Sequence, residues 1–218
     1  MKKIVVLVSL FAMLSACVST KNIKISAADI QQLNPNNMAM TVRDKPDFAA
    51  MTAGKAMFAM LGAAAMIAAG NELVKVNEVE DPARYIQAEL AKALSTNYGF
   101  ALSEGPAVKV DTDKPAKIAA LAPASDLVLD VETINWSFAY FPTDWNNYRV
   151  IYSVKLRLFN TKTKSMVAEG FCSRVPEEDA SAPSYDELVA NKAERLKQEL
   201  KIAADKCIGE FKSTVLSI

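Results

Sequence analysis

Residues 149–158 read RVIYSVKLRL, and this stretch decides the fold. Apolar side chains alternate with polar ones, which is the period of a β-strand that has one covered face and one face at least partly in water. The apolar set is Val150, Tyr152, Val154, Leu156 and Leu158, and the positively charged residues opposite are Arg149, Lys155 and Arg157. We therefore expect a strand inside an antiparallel sheet.

The sequence on either side predicts two more strands. Upstream, residues 127–132 alternate, with Asp130 and Glu132 on the face that we expect to meet water rather than in a pair of catalytic carboxylates. The apolar set then changes phase near Thr133, which indicates a β-bulge. Downstream, a turn over 160–164 leads into a strand over 166–172. Three consecutive strands give an antiparallel meander.

Two amphipathic helices flank this meander in the sequence. The first starts at Asp81, an N-cap followed by proline, and ends at Gly99. The second starts at Ser184, which forms a capping box with Glu187, and its apolar positions continue to Phe211. We expect both helices to cover one face of the sheet, so that residues 81–218 form an α+β domain.

An apolar segment rich in alanine and methionine precedes this domain, and we assign residues 51–80 to it. Fourteen consecutive residues, 56–69, are Ala, Met, Phe, Leu, Ile or Gly. As a helix they span about 21 Å, too short to cross a bilayer of about 30 Å. Two interpretations stay open: a helix buried in the domain or lying against the membrane surface, and an element of self-association or membrane insertion. Its small-residue face would carry Gly54, Gly62 and Gly70.

Residues 17–50 are polar and rich in turn formers, including Asn34-Pro35-Asn36-Asn37. We interpret this part as a mostly irregular tether, with a short strand near 38–42.

The first 16 residues have the pattern of a secretory signal peptide. Lys2 and Lys3 precede a short apolar run over 4–13, and the run ends at Leu14-Ser15-Ala16-Cys17. The alternatives, a buried helix or a membrane span, need a longer apolar run. These four residues resemble the lipobox of bacterial lipoproteins. The resemblance implies cleavage before Cys17, acylation of its thiol by chains such as palmitate, and, with Val18 rather than aspartate next, the periplasmic face of the outer membrane.

The other two cysteines fit an oxidising compartment. Cys172 lies on the predicted strand face that carries Ala168 and Gly170, and Cys207 lies on the apolar stripe of the last helix. If the helix packs on that face, the two form a disulfide. Two separately buried thiols are the alternative.

Composition excludes several classes of function. The chain has 25 basic and 25 acidic residues, so no positive field attracts nucleic acid. It has no histidine, which excludes Ser-His and Cys-His nucleophiles and histidine metal sites. The acidic link over 176–183 lacks the ligand spacing of an EF-hand. We expect neither an enzyme nor a bound cofactor or metal.

The aromatic residues between 136 and 148 carry the local signal for binding. Trp136, Phe138 and Tyr148 are expected in the core because strand aromatics pair across hairpins. The residues expected on a binding surface at the turn are Phe141, Asp144, Trp145 and Asn147.

The stretch from 82 to 163 resembles periplasmic α/β modules of bacterial envelope lipoproteins. The resemblance rests on Tyr98-Gly99-Phe100, on residues 124–129 (ASDLVL) and on residues 154–160 (VKLRLFN). Proteins of this kind include the TolB amino-terminal domain, the curli secretion lipoprotein and transport-auxiliary lipoproteins. The resemblance implies assembly and protein partnership in the envelope rather than catalysis.

Two functions follow as expectations. The first is a lipid-anchored interaction or assembly module that holds an envelope protein or a second copy of itself. The second is a lipoprotein that binds peptidoglycan or lipid through the hairpin 136–148.

Overall fold

The computed structural model describes residues 22–56 and 59–218. Cys17 and the predicted signal peptide therefore lie outside the described residues. The elements in chain order are α1 (Ala27–Leu33), β1 (Asn37–Val42), β2 (Ala49–Met51), α2 (Ala53–Ala56), α3 (Ala59–Val76), α4 (Pro82–Tyr98), β3 (Ala101–Leu102), β4 (Val108–Lys109), α5 (Pro115–Leu121), β5 (Leu127–Tyr140), β6 (Tyr148–Asn160), β7 (Ser165–Arg174) and α6 (Tyr185–Phe211), followed by a π-helical turn over Lys212–Leu216.

The predicted meander is present. Strands β5, β6 and β7 are consecutive and antiparallel, and Leu156 in the middle strand pairs with Val131 on one side and Gly170 on the other. The register of the β5–β6 pair shifts between Thr133 and Asn135, which confirms the predicted bulge. The bulge lets Leu129 and Trp136 face the same core, although their positions differ by an odd number.

The fold is α+β, as predicted, but the sheet is mixed rather than purely antiparallel. Strand β1 runs parallel to β5, with Met38 opposite Leu127, and β3 lies parallel on the outer side of β1. Strand β2 pairs in parallel with the second half of β5, with Ala50 opposite Phe138.

The structure thus places residues 22–50 in the domain, where we predicted an irregular tether. Ile25, Ile30, Met38 and Phe48 are all buried in the main core. The predicted turn near Asn34 is present. Asn34 ends α1 in the left-handed conformation, which its short polar side chain tolerates. They reverse the chain between core elements rather than forming a flexible spacer.

Helices α4 and α6 cover one face of the sheet, as the amphipathic patterns predicted. Ile86, Leu90 and Leu94 of α4 and Leu200 and Phe211 of α6 are buried in the main core. Asp81 caps α4, accepting a hydrogen bond from the N–H of Ala83, and Gly99 ends it with φ +76°. A smaller cluster on the other face joins Val128 and Phe159 to Ile118 of α5 and Val110.

The predicted disulfide is present. Cys172 of β7 and Cys207 of α6 are joined, with their Cα atoms 5.6 Å apart, and both residues are fully buried. It links the last strand to the helix that packs on it.

Helix α6 is interrupted, whereas the sequence predicted one continuous helix. Asn191, Lys192 and Ala193 have φ values of +50°, +57° and +55°, which non-glycine residues adopt at a cost. Leu188 before the interruption and Ala193 at its end are both fully buried. The chain therefore packs in the core on both sides of the left-handed turn.

Helix α3 belongs to the domain through its second half. Val74 lies in the core, and a Cβ atom at Gly70 would clash with the backbone oxygen of Phe48. Ala63, Ala64, Ala65 and Ala68 are exposed. Within 22–56 and 59–218, no helix has the length and apolar character that a membrane span requires.

Candidate functional site

The loop between β5 and β6, residues 141–147, closes the aromatic hairpin. The carboxylate of Asp144 organises it by accepting hydrogen bonds from the side-chain amide of Asn147 and from the backbone N–H of Asn146 (3.0 Å). These bonds, with that from Asn147 the largest cause, lower the pKa of Asp144 below its usual value. Asp144 and Asn147 therefore hold the loop in shape, and their polar groups are largely used in doing so.

Trp145 is the prominent side chain of this loop. It is 60% exposed, the second most exposed of the large apolar residues that the structure describes. Its indole N–H donates to the backbone oxygen of Pro142 (3.1 Å), and its ring meets that of Tyr140 edge to face, with centroids 6.4 Å apart. The indole is thus held outward by two contacts, with its apolar face towards solvent.

Phe141 does not belong to this surface, so that part of the prediction is wrong. Its side chain is 2% exposed, and the guanidinium of Arg149 lies 5.4 Å from its ring centroid. Residues 141 and 149 are diagonal neighbours at the base of the loop, close enough for a cation–π contact.

The remaining aromatic residues of the hairpin are in the core, as predicted. Trp136, Phe138 and Tyr148 are buried. Phe48 of the preceding segment contacts Trp136 and Phe138 edge to face, at 5.1 and 5.8 Å between centroids. The indole N–H of Trp136 donates to the backbone oxygen of Pro46 (2.8 Å), so its polar atom is satisfied inside the domain.

Other exposed apolar side chains lie at the same end of the sheet. Met51 ends β2, which runs parallel to β5, and Val175 directly follows β7. Tyr185 begins α6, and its ring centroid lies 6.0 Å from that of Tyr148. All three are more than one third exposed. We call the loop 141–147 together with Met51, Val175 and Tyr185 the hairpin end.

Acidic residues border the hairpin end. The link between β7 and α6 contains Glu177, Glu178 and Asp179, all exposed, and Glu178 accepts a hydrogen bond from the hydroxyl of Thr143 in the loop. This contact holds a negative charge against the loop at Thr143.

The three glycines proposed for self-association do not form one free face. Gly70 packs against the backbone of Phe48, and Gly62 is buried. A Cβ atom at Gly54 meets nothing within 4 Å. The close approach that Gly70 permits is thus to a strand segment of its own chain.

A buried ionic cluster occupies the sheet face where Asp130 and Glu132 were expected to meet water. Asp130 is fully buried and accepts hydrogen bonds from Arg43, from Arg157 (2.9 Å) and from the hydroxyl of Thr41 (2.6 Å). Glu132 contacts both guanidinium groups and is only partly exposed. The expectation for Asp130 is wrong because two arginines neutralise and cover it.

The cluster is closed on the solvent side by Asp113, whose carboxylate lies 3.0 Å from Arg43 and 2.8 Å from Arg157. Arg43 also donates to the backbone oxygen of Thr112 (2.8 Å). No sequence pattern indicates this grouping, because residues 43, 113, 130 and 157 come from four separate segments. Every carboxylate in it is paired with an arginine, which suits a role in holding the fold.

Within the described ranges 22–56 and 59–218, no group of three or more His, Cys, Asp or Glu side chains is arranged so that it could hold a metal ion. The predicted lipidation site, Cys17, is five positions before the first described residue, Asn22. There the chain meets the open edge of the sheet: Ile23 pairs antiparallel with Glu169 of β7 through hydrogen bonds of 2.8 and 3.0 Å.

No protein-family model matches this chain, and no curated protein does. Several solved structures are similar to this chain, with low TM-scores and low sequence identity. The hypothetical protein CT253 from Chlamydia trachomatis has a TM-score of 0.42 and 11% identity, covering 84% of this chain and 99% of that one. The PelC dodecamer from Paraburkholderia phytofirmans has a TM-score of 0.36 and 10% identity, covering 90% and 96%. Lipoprotein GNA1162 from Neisseria meningitidis has a TM-score of 0.30 and 14% identity, covering 81% and 99%.

Proposed function

We propose that this protein is a lipid-anchored module of the bacterial envelope that acts through binding at its hairpin end, without catalysis. The observation that carries the proposal is Trp145, a large apolar ring that is 60% exposed yet fixed by two contacts. Fixing an exposed apolar ring in one position does little for the stability of the domain. A ring that is already fixed, however, loses less conformational entropy when it enters an interface. Rigid aromatic anchors of this kind dominate binding surfaces.

The anchor itself is proposed from the sequence. Residues 14–17 supply the lipobox, and acyl chains on Cys17 would contribute about 0.8 kcal/mol per buried CH2 to membrane binding. The Cys172–Cys207 disulfide supports an oxidising compartment such as the periplasm. With Val18 after the cysteine, we propose the periplasmic face of the outer membrane.

Two substitutions test the anchor and its location. Cys17→Ser should abolish incorporation of an alkyne fatty acid and move the protein from the membrane pellet to the soluble fraction. Val18→Asp should keep the label but move the protein from outer-membrane to inner-membrane fractions. A Cys17→Ser protein that stays in the membrane pellet contradicts lipid anchoring, and an unmoved Val18→Asp protein contradicts the location.

Photocrosslinking in cells tests the binding surface. A photoreactive phenylalanine replaces Trp145, and the matched control replaces Thr163, an exposed residue in the β6–β7 turn at the opposite end of the sheet. We expect an adduct at position 145, to an envelope component or to a second copy of this chain, and none at 163. Equal labelling at both positions, or none at 145, contradicts the proposed surface.

The alternative function, binding of peptidoglycan, has less support in the loop. Glycan recognition needs free amide and carboxylate groups beside the aromatic ring, but Asp144 and Asn147 bond to each other. Of the two ligands expected for this function, peptidoglycan and lipid, the apolar face of Trp145 favours lipid.

A further inference from the structure

We propose that the hairpin end rests on the lipid bilayer into which the acyl chains of Cys17 insert. This inference depends on the lipid anchor proposed above, and it names the partner of the hairpin end as the membrane surface itself.

The first step is the length of chain between anchor and domain. Five residue steps separate Cys17 from Asn22, and a fully extended chain spans at most about 18 Å over that number. The domain is larger than this: β6 alone has 13 residues, or about 43 Å as an extended strand. A domain held this closely meets the headgroups with part of its own surface.

The second step is the direction of the chain at the point where it leaves the domain. Ile23 is antiparallel to Glu169, so the chain traced back through Asn22 runs towards the Arg174 end of β7. The N–H of Phe171 donates to the side-chain oxygen of Asn22 (3.4 Å), which places Asn22 further along β7 in that direction. Arg174 pairs with Tyr152, which is near the start of β6 and therefore near the hairpin end. The chain therefore points from Ile23 towards the hairpin end.

The third step is the contrast between the hairpin end and the β6–β7 turn. The hairpin end exposes Trp145, Met51, Val175 and Tyr185. The β6–β7 turn at the opposite end consists of residues 161–164, TKTK, which are polar throughout. Tryptophan and tyrosine concentrate at membrane interfaces because the ring enters the headgroup region while its polar atom stays hydrogen-bonded. Trp145 has this arrangement, with its indole N–H already bonded to Pro142.

The charge of the hairpin end defines the kind of lipid that it fits. Glu177, Glu178 and Asp179 border the loop, so an anionic surface would repel it. The surface suits zwitterionic headgroups, and we expect the contact to weaken as anionic lipid is added at low salt.

The two tryptophans of the chain allow a direct test. Trp136 is fully buried and Trp145 is exposed, so lipid-borne quenchers should reach only Trp145. The full-length acylated protein is reconstituted into phosphatidylcholine vesicles with acyl chains brominated near the headgroup, and compared with vesicles of unbrominated lipid. We expect at least a twofold loss of the Trp145 component, and no loss in a Trp145→Phe variant. A Thr163→Trp change in the Trp145→Phe background places a matched probe at the opposite end, and we expect it to stay unquenched.

The outcomes separate this proposal from the anchor on which it depends. Protein that floats with the vesicles while Trp145 is not quenched retains the anchor and overturns the bilayer contact. Quenching of the probe at 163 instead places the opposite end on the membrane and also overturns it. Protein that does not float contradicts the lipid anchor, and the bilayer contact falls with it.

Discussion

Replacing Asp130 with asparagine should destabilise this protein more than any other single change of one carboxylate. Asp130 is fully buried, and its two oxygens accept hydrogen bonds from Arg43, Arg157 and Thr41. Asparagine keeps the size but removes the charge and leaves one oxygen to accept these bonds. Two guanidinium groups then lose the fully buried carboxylate that they share, and breaking a buried ion pair in this way costs about 3 to 5 kcal/mol.

Asp113→Asn is the matched control. Asp113 contacts the same two arginines at 3.0 and 2.8 Å, but its side chain is 64% exposed. Water can solvate the arginines on this side and replace much of the attraction of the carboxylate, so this change should lower the free energy of unfolding by about 0 to 1 kcal/mol. For a domain of this size 1 kcal/mol lowers the melting temperature by about 2 to 4 °C. The expected losses are therefore about 6 to 20 °C for Asp130→Asn and at most about 4 °C for Asp113→Asn.

Urea unfolding followed by far-UV circular dichroism measures both free energies. Repeating it in 1 M NaCl adds a second criterion, because salt screens the exposed pair far more than the buried one. The cost of Asp113→Asn should shrink in salt, and that of Asp130→Asn should not. Equal costs for the two variants, or a cost below 1 kcal/mol for Asp130→Asn, would refute the assignment of Asp130 as the centre of a buried cluster.

Three further changes test other features of the fold. Lys192→Gly should raise the free energy of unfolding by about 1 kcal/mol, measured by urea unfolding, since glycine accepts the left-handed φ of +57° without a Cβ clash. Gly70→Ala should lower the melting temperature, at a cost of about 1 to 3 kcal/mol from the forced shift of the Phe48 backbone, while Gly54→Ala, where the space is open, should not. Burial raises the pKa of Asp81, so the folded state favours its protonated form. The stability that this protonated carboxyl contributes is lost as pH rises above about 4 through the raised pKa. Asp81→Asn keeps a good N-cap, so its stability relative to wild type should improve between pH 4 and pH 7, and a difference independent of pH contradicts this reasoning.

Features with local causes could be predicted from the sequence. The phase change at Thr133 identified the bulge, and the cap at Asp81 and the glycine at position 99 identified the ends of α4, because each depends on neighbouring residues alone. The pairing of Cys172 with Cys207 followed from two local periodicities that placed both on apolar faces.

Features that depend on distant partners could not. Asp130 and Arg157 alternate with apolar residues as surface charges do, and their burial depends on distant segments, such as the one that carries Arg43, 87 residues from Asp130. Phe141 and Trp145 both flank the same turn, and sequence gives no reason for one to be covered and the other exposed. In the structure Phe141 packs against Arg149 across the hairpin, a contact that the order of residues in the turn does not reveal.

The buried cluster also explains how β1 finds its register beside β5. Residues 38–41 read MAMT, so a shift of β1 by two positions would keep methionines on the main-core face and small residues on the other. Hydrophobic burial alone therefore specifies this register weakly. The contacts of Thr41 and Arg43 with Asp130 would be lost in the shifted pairing, so we infer that the buried charges select the observed one. Hydrogen exchange of Asp130→Asn tests this directly, because protection should fall for the amides of β1 and persist for β6 and β7. A uniform loss along all three strands would instead make the cluster a source of stability without a role in register.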